Sequence, residues 1–209
     1  MSSQLYESPN KNTLMLNDKK KVGRPKKEVI VTTPTFNEPA RHGWNSEDEV
    51  GKFIGSLIKM SRVMTVLEVG VFEGETSKSM IEALPNGGQY IGVDINDYRA
   101  ESTKAMMENV NGKVVEFVLG TSINKCAKMQ SNHFDLIFVD GDHSWDNILP
   151  EFKVLERLLA RGGVFVYHDT IHLEDPRRLV EYAASFNYKV VTLNTPEGRG
   201  LSILHRNFA

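Results

Sequence analysis

The chain has 209 residues, 25 Lys and Arg against 27 Asp and Glu, a net charge of −2, 40% hydrophobic and 25% charged residues. That leaves room for one domain with a sizeable core, in the composition of an ordinary globular protein. No apolar run approaches the roughly 20 residues of a bilayer span, the opening MSSQLYESPNKN lacks the apolar stretch of a signal peptide, and the single cysteine, Cys126, has no internal partner, so no membrane and a reducing cytoplasm are expected.

The charge is unevenly spread. Residues 1–30 hold seven basic and three acidic residues, +4, which leaves −6 for the rest. Residues 1–40, rich in Ser, Asn, Lys and Pro and without period, read as a basic disordered tail ahead of a domain over 41–209. Within the tail, KKKVGRPKKE (19–28) resembles an AT-hook. Its Arg would enter the narrow minor groove of A·T-rich DNA while the lysines meet phosphates.

From Ser46 the pattern becomes regular. Ser46, Glu47 and Asp48 form a helix-start signal, followed by Val50, Phe53, Ile54, Leu57 and Ile58 at helical spacing. Strands are then expected over 65–70, 89–95, 114–120, 134–140 and 163–169. Helices are expected over 76–84, 98–110, 122–130, 147–160 and 174–186. Continuous Val, Ile and Leu runs imply strands buried on both faces of a parallel sheet covered by helices. YKVVTLN (188–194) and GLSILHR (200–206), joined by TPEGR, form a terminal antiparallel hairpin.

The first strand runs into a glycine turn, VLEVGVFEGETSKSM (66–80). Gly70 permits a sharp bend, and Gly74 lets a ligand approach the backbone without meeting a Cβ. The spacing is G-x-x-x-G, not the G-x-G-x-x-G that admits a pyrophosphate, which argues against NAD or FAD. Asp94 ends the second strand, where a carboxylate accepts both hydroxyls of a ribose.

E-V-G-V-F-E-G-E-T-S, then V-D-I, then the terminal hairpin resemble a class I S-adenosylmethionine-dependent methyltransferase over residues 46–209. The resemblance implies a Rossmann-like, doubly wound α/β fold with seven strands in the order 3-2-1-4-5-7-6, strand 7 antiparallel. It also implies that Glu68, Gly70 and Gly74 line the methionine portion of the cofactor, with Asp140 beside it. Asp94 would hold the ribose, and Gly120, Thr121 and Ser122 would border the adenine.

The fourth strand ends in D-G-D-H (140–143) and the fifth in H-D (168–169). Five ionisable groups on one rim would perturb one another and would collect a divalent ion. V-D-G-D-H-S-W followed by G-G-V-F-V-Y-H-D resembles a branch of small-molecule O-methyltransferases related to macrolide-sugar and cephalosporin-tailoring enzymes. That resemblance implies magnesium on Asp140 and Asp169, and His143 as the base for a small-molecule acceptor. His168 departs from the pattern by standing where a second acid is expected. As a ligand it would shift preference towards manganese or another transition metal.

Two other functions fit the tail: a nucleic-acid-associated methyltransferase tethered by residues 19–28, and a non-catalytic DNA-binding protein that keeps the fold. Base-amino methylation is disfavoured because the fourth strand ends in D-G-D-H and not [DN]-P-P-[YFW]. C5 methylation is disfavoured because no Pro-Cys nucleophile is present. The acceptor substrate and the oligomeric state are not legible in the sequence.

Overall fold

The computed structural model describes residues 30–32, 46–96, 110 and 112–206. The AT-hook-like segment 19–28 lies outside them, as does all but the last residue of the helix expected over 98–110. Among the described residues the strands are β1 (Ile30–Thr32), β2 (Thr65–Val69), β3 (Gln89–Asp94), β4 (Val114–Leu119), β5 (Phe134–Val139), β6 (Leu159–His168), β7 (Tyr188–Leu193) and β8 (Leu201–Arg206). The helices are α1 (Asp48–Ser61), α2 (Glu75–Ala83), α3 (Ser122–Cys126), α4 (Trp145–Leu158) and α5 (Glu174–Phe186).

One sheet runs in the order β1-β7-β8-β6-β5-β2-β3-β4. Every pairing is parallel except those of β8 with β6 and β7. Setting β1 aside, this is the expected seven-stranded order with its antiparallel seventh strand. β1 is an addition inside the segment read as tail. It pairs parallel with β7, Ile30 opposite Val191 through Thr32 opposite Leu193. An otherwise open β7 edge offers unpaired backbone groups, and Ile-Val-Thr is a β-branched run suited to meet them.

Successive residues of the central strands sort to opposite faces. Leu67, Val69, Ile137, Val139, Phe165 and Tyr167 pack with α4 and α5. Val66, Leu136, Phe138 and Val166 pack with Ile54 and Ile58 of α1 and Met80 of α2. Each fully buried Leu, Ile or Phe stabilises by about 1.5–3 kcal/mol. β4 departs from two-sided burial: Val114 and Leu119 are each 56% exposed on an edge strand with one neighbour. Cys126, the last residue of α3, is buried, and burial pushes its thiol up to about 12.

Two local features aim chain at the strand tips. α1 starts where expected, but its N-cap, Glu47, makes no side-chain cap. Ser46 and Glu47 turn their side chains towards the sheet instead. At the far end, the loop after β6 is tied to the β7–β8 hairpin. The amides of Ile171 and His172 both donate to the Arg199 carbonyl at 3.0 Å. Gly200, at φ +89°, packs so closely that a Cβ there would lie 2.6 Å from the Ile171 nitrogen.

Candidate active site

The glycine turn leaves β2 at Gly70, whose φ is +86°. A Cβ there would lie 2.2 Å from the Asp140 carbonyl oxygen, so glycine lets the tips of β2 and β5 touch. Gly74, at φ +76°, caps the start of α2. Between them, the amides of Val71 and Phe72 both donate to Asp94 Oδ2 at 2.9 Å, and Asn96 N donates to Oδ1 at 2.9 Å. Asp94 therefore clasps the loop from the β3 tip.

Glu68 is 1% exposed and accepts hydrogen bonds from Ser77 Oγ and Tyr90 OH. Burial pushes its carboxyl up to about 8, against the pull of those two donors. It braces β2 against β3 and α2 and contributes almost no surface to the crevice. Of the residues expected near an adenine, Gly120 donates its amide to the Asp94 carbonyl at 2.7 Å. Thr121 Oγ1 caps α3 by accepting from Asn124 N. Ser122 turns inward and donates to Glu151. The sequence reading missed Ile95 and Leu119, which are 64% and 56% exposed at the same tips.

On the other side of the turn, β5 and β6 bring the acids and imidazoles together. Asp169 adopts φ +57° directly after β6, a left-handed conformation that Asp tolerates. Its Oδ2 lies 3.2 Å from His143 Nε2, and Asp140 Oδ1 lies 3.8 Å from the same nitrogen. Burial alone would lower the His143 pKa, but Asp140 and Asp169 outweigh it and push it up to about 9. Asp142 takes no part in this cluster. It accepts from Ser144 N, Ser144 Oγ and Asn147 Nδ2 at 2.6–2.9 Å and organises the start of α4. Trp145 lies under the Arg178 guanidinium, 3.8 Å from its ring centroid, and packs edge-on to Tyr182 of α5.

His168 is buried with both nitrogens engaged. Nε2 lies 2.7 Å from Glu47 Oε2, and Nδ1 lies 3.2 Å from Asp140 Oδ1. Burial would lower its pKa, but Asp140 first, then Asp169 and Glu47, push it up to about 12. The same pairing works on its partners. Burial would raise Asp140, but the His168 charge and bonds from His143, His168 and Ser46 hold it far below the usual carboxylate range. Burial would raise Asp169 too, and His143 and His168 pull it well below that range. Arg199, which the sequence reading missed, donates Nε to Asp169 Oδ1 at 2.9 Å. Glu47 and Ser46 were read only as a helix start. One signal could have found them: a helix-start pair separated by a long segment from the strand tips it must reach.

Ligand atoms of Asp140, His143 and Asp169 lie within 4.8 Å of one another, a spacing compatible with metal binding. Neither this set nor the Asp140, Asp169 and His168 set fits a magnesium ion in its chemistry. Magnesium favours anionic oxygen over imidazole, and a carboxylate whose charge a cation already offsets attracts it less. Here Asp140 Oδ2 accepts from Ser46, Oδ1 faces His168, and both Asp169 oxygens face Arg199 at 2.9 and 3.4 Å. Beside the cluster, a small crevice of about 10 Å³, room for a single water, is lined by His143, Val139, Ile148, Tyr167, Pro176 and Leu179. The Tyr167 hydroxyl is buried there without a hydrogen-bond partner.

The chain has relatives among known proteins. A family model described as a methyltransferase domain matches residues 67–170. Caffeoyl-CoA O-methyltransferase 2 of Petunia hybrida is 33% identical over 142 residues, 63% of this chain and 57% of the relative. Caffeoyl-CoA O-methyltransferase of Pinus taeda is 32% identical over 142 residues, covering 63% and 54%. The chain thus spans little more than half the length of these curated relatives. Among solved structures, an O-methyltransferase of Bacillus cereus in complex with SAH superposes with a TM-score of 0.68 at 21% identity, over 79% of this chain and 84% of that one. An O-methyltransferase of Streptomyces achromogenes involved in tomaymycin synthesis, in complex with SAM, gives 0.64 at 19%, over 79% and 82%. With the order of its sheet, its glycine turn and the matched domain model, the chain carries a methyltransferase domain over residues 67–170 and resembles the class I S-adenosylmethionine-dependent small-molecule O-methyltransferases.

Proposed function

We propose that this protein transfers a methyl group from S-adenosylmethionine to a hydroxyl of a small molecule. The observation that carries the reading is the placement of an imidazole, His143, at the β5 tip directly beside the Gly70–Asp140 contact. A sulfonium lying along the glycine turn would present its methyl group towards that imidazole.

The chain's own residues divide the work. The Asp94-clasped loop and the apolar rim of Ile95 and Leu119 bind the adenosyl portion. Methyl transfer is an in-line displacement, and fixing both reactants in line supplies about 7–11 kcal/mol of the barrier reduction. The acceptor hydroxyl must lose its proton. His143 takes it, and Asp169 and Asp140, which face its Nε2, stabilise the resulting imidazolium. Among the described residues no helix is long and apolar enough to cross a membrane.

The test is transfer of label from methyl-labelled S-adenosylmethionine to a panel of catechols, phenols and sugars, with calorimetric titration of S-adenosylhomocysteine alongside. Saturable nucleoside binding with a labelled ether product supports the reading, and no binding refutes it. Segment 19–28 adds contact with A·T-rich duplex to the same reading. Its test is a salt-dependent mobility shift lost on deleting residues 1–30.

A further inference from the structure

The residues at the tips of β5 and β6 assemble three carboxylates, Glu47, Asp140 and Asp169, around His168 and Arg199. A neutral imidazole carries one donor and one acceptor, whereas ionised carboxylates only accept. His168 presents Nε2 to Glu47 at 2.7 Å and Nδ1 to Asp140 at 3.2 Å, so both nitrogens must carry hydrogen and the ring is a cation. Arg199 is a cation at every accessible pH. Its place is fixed by the two amide bonds to its carbonyl and by the close packing of Gly200.

We propose that His168 and Arg199 are built-in cations occupying the electrostatic role of a divalent ion, so that the site works without a metal. The inference rests on the methyl-transfer reading for its reaction, but its first test does not. A dication would have to share Asp140 with His168 and Asp169 with Arg199, whose charges already offset those carboxylates. It would also meet two fixed positive charges within the same cluster, where low dielectric makes like charges repel strongly. His168 stands at the position where an acid would have supplied the missing negative charge. His168 and Arg199 touch the reacting groups only through Asp140 and Asp169, and are positioning residues. They hold those two carboxylates at the spacing that grips His143.

The first experiment titrates Mn²⁺ into the full-length protein and follows the free-ion signal by electron paramagnetic resonance. Retention of the free-ion spectrum at stoichiometric protein is expected, and its saturable loss in the micromolar range overturns the proposal. A second arm uses His168→Asp combined with Arg199→Gln, with Arg199→Gln alone as a milder companion, each checked for native circular dichroism. Removing the cations should raise Mn²⁺ affinity by roughly 10–100-fold, the scale on which outer partners tune metal sites. A folded variant that gains none shows that the cations are not what excludes the ion. Where an acceptor is found, turnover should be unchanged by EDTA. Turnover lost to EDTA and restored by magnesium overturns the inference. Failure to find an acceptor bears on the methyl-transfer reading alone, because the Mn²⁺ titration stands without it.

Discussion

His168 Nε2 sits 2.7 Å from Glu47 Oε2, across 121 residues of sequence. Both side chains are buried, 0% and 2% exposed. The pair joins the residue before α1 to the end of β6, and so fastens the first helix over the strand tips. Removing one partner of such a pair leaves an uncompensated buried charge. Glu47→Ala should lower unfolding free energy by about 3–5 kcal/mol, measured by urea denaturation. A change within error would show that the pair contributes nothing to holding α1.

The pH dependence of catalysis should carry the mark of His143. Its pKa is pushed up to about 9, so at neutral pH it is mostly protonated and unable to accept a proton. Plotted against pH, kcat/KM should rise through neutrality and level off above about 9. His143→Ala should cost on the order of 10²–10⁴-fold in turnover while leaving S-adenosylhomocysteine affinity intact. A variant with undiminished turnover would remove the imidazole from the reaction.

Asp94 holds three amides at once. Hydrogen bonds to a charged group contribute about 1.5–3 kcal/mol, so Asp94→Ala should weaken nucleoside binding by roughly 10–100-fold in titration calorimetry. Asp94→Asn, which keeps an acceptor, should fall between. Equal affinity in all three proteins would mean that the carboxylate organises neither loop nor ligand.

Glu68 gives stability a slope with pH. Its folded carboxyl titrates at about 8, against 4.5 for the free side chain. Between those values the folded chain holds a proton that the unfolded chain has released, so stability falls as pH rises, by up to about 1.4 kcal/mol per pH unit from this group. Glu151, raised by burial to about 7, adds to the same trend. Glu68→Gln should flatten the profile between pH 5 and 8, read as melting temperature against pH. An unaltered slope would place the titration elsewhere.

Gly70→Ala should be poorly tolerated. The residue sits at φ +86° with the Asp140 carbonyl 2.2 Å from the position of a Cβ. A strained left-handed alanine alone costs about 1–3 kcal/mol, and the tips of β2 and β5 must part to admit the methyl group. Melting temperature and turnover should both drop. A variant as active as wild type would show that the two tips can separate freely.

The sheet was legible because its strands are apolar runs broken by glycine turns, and the order of the seven followed from the resemblance they carry. β1 was not, because three β-branched residues inside a polar stretch give no period to read. At the site, the residues at strand tips were legible: Asp94, Asp140, His143 and Asp169 all end or follow strands. Their partners were not. Arg199 lies in a hairpin turn and Glu47 in a helix-start signal, and each owes its role to a contact spanning 30 or 121 residues. Local pattern also misassigns groups that serve two purposes. Ser46 and Ser122 both look like turn or cap residues, yet each hydroxyl is spent on a distant carboxylate.

Arg199 belongs to the last hairpin, while the carboxylate it grips was laid down 30 residues earlier. A chain emerging from the ribosome therefore displays Asp169 before its guanidinium partner exists. Until β8 inserts antiparallel between β6 and β7, Asp169 has only the two imidazoles to offset its charge. Completion of the hairpin is thus a late assembly step on which competence waits, so a chain stalled or clipped before it retains the nucleoside turn and lacks a working centre.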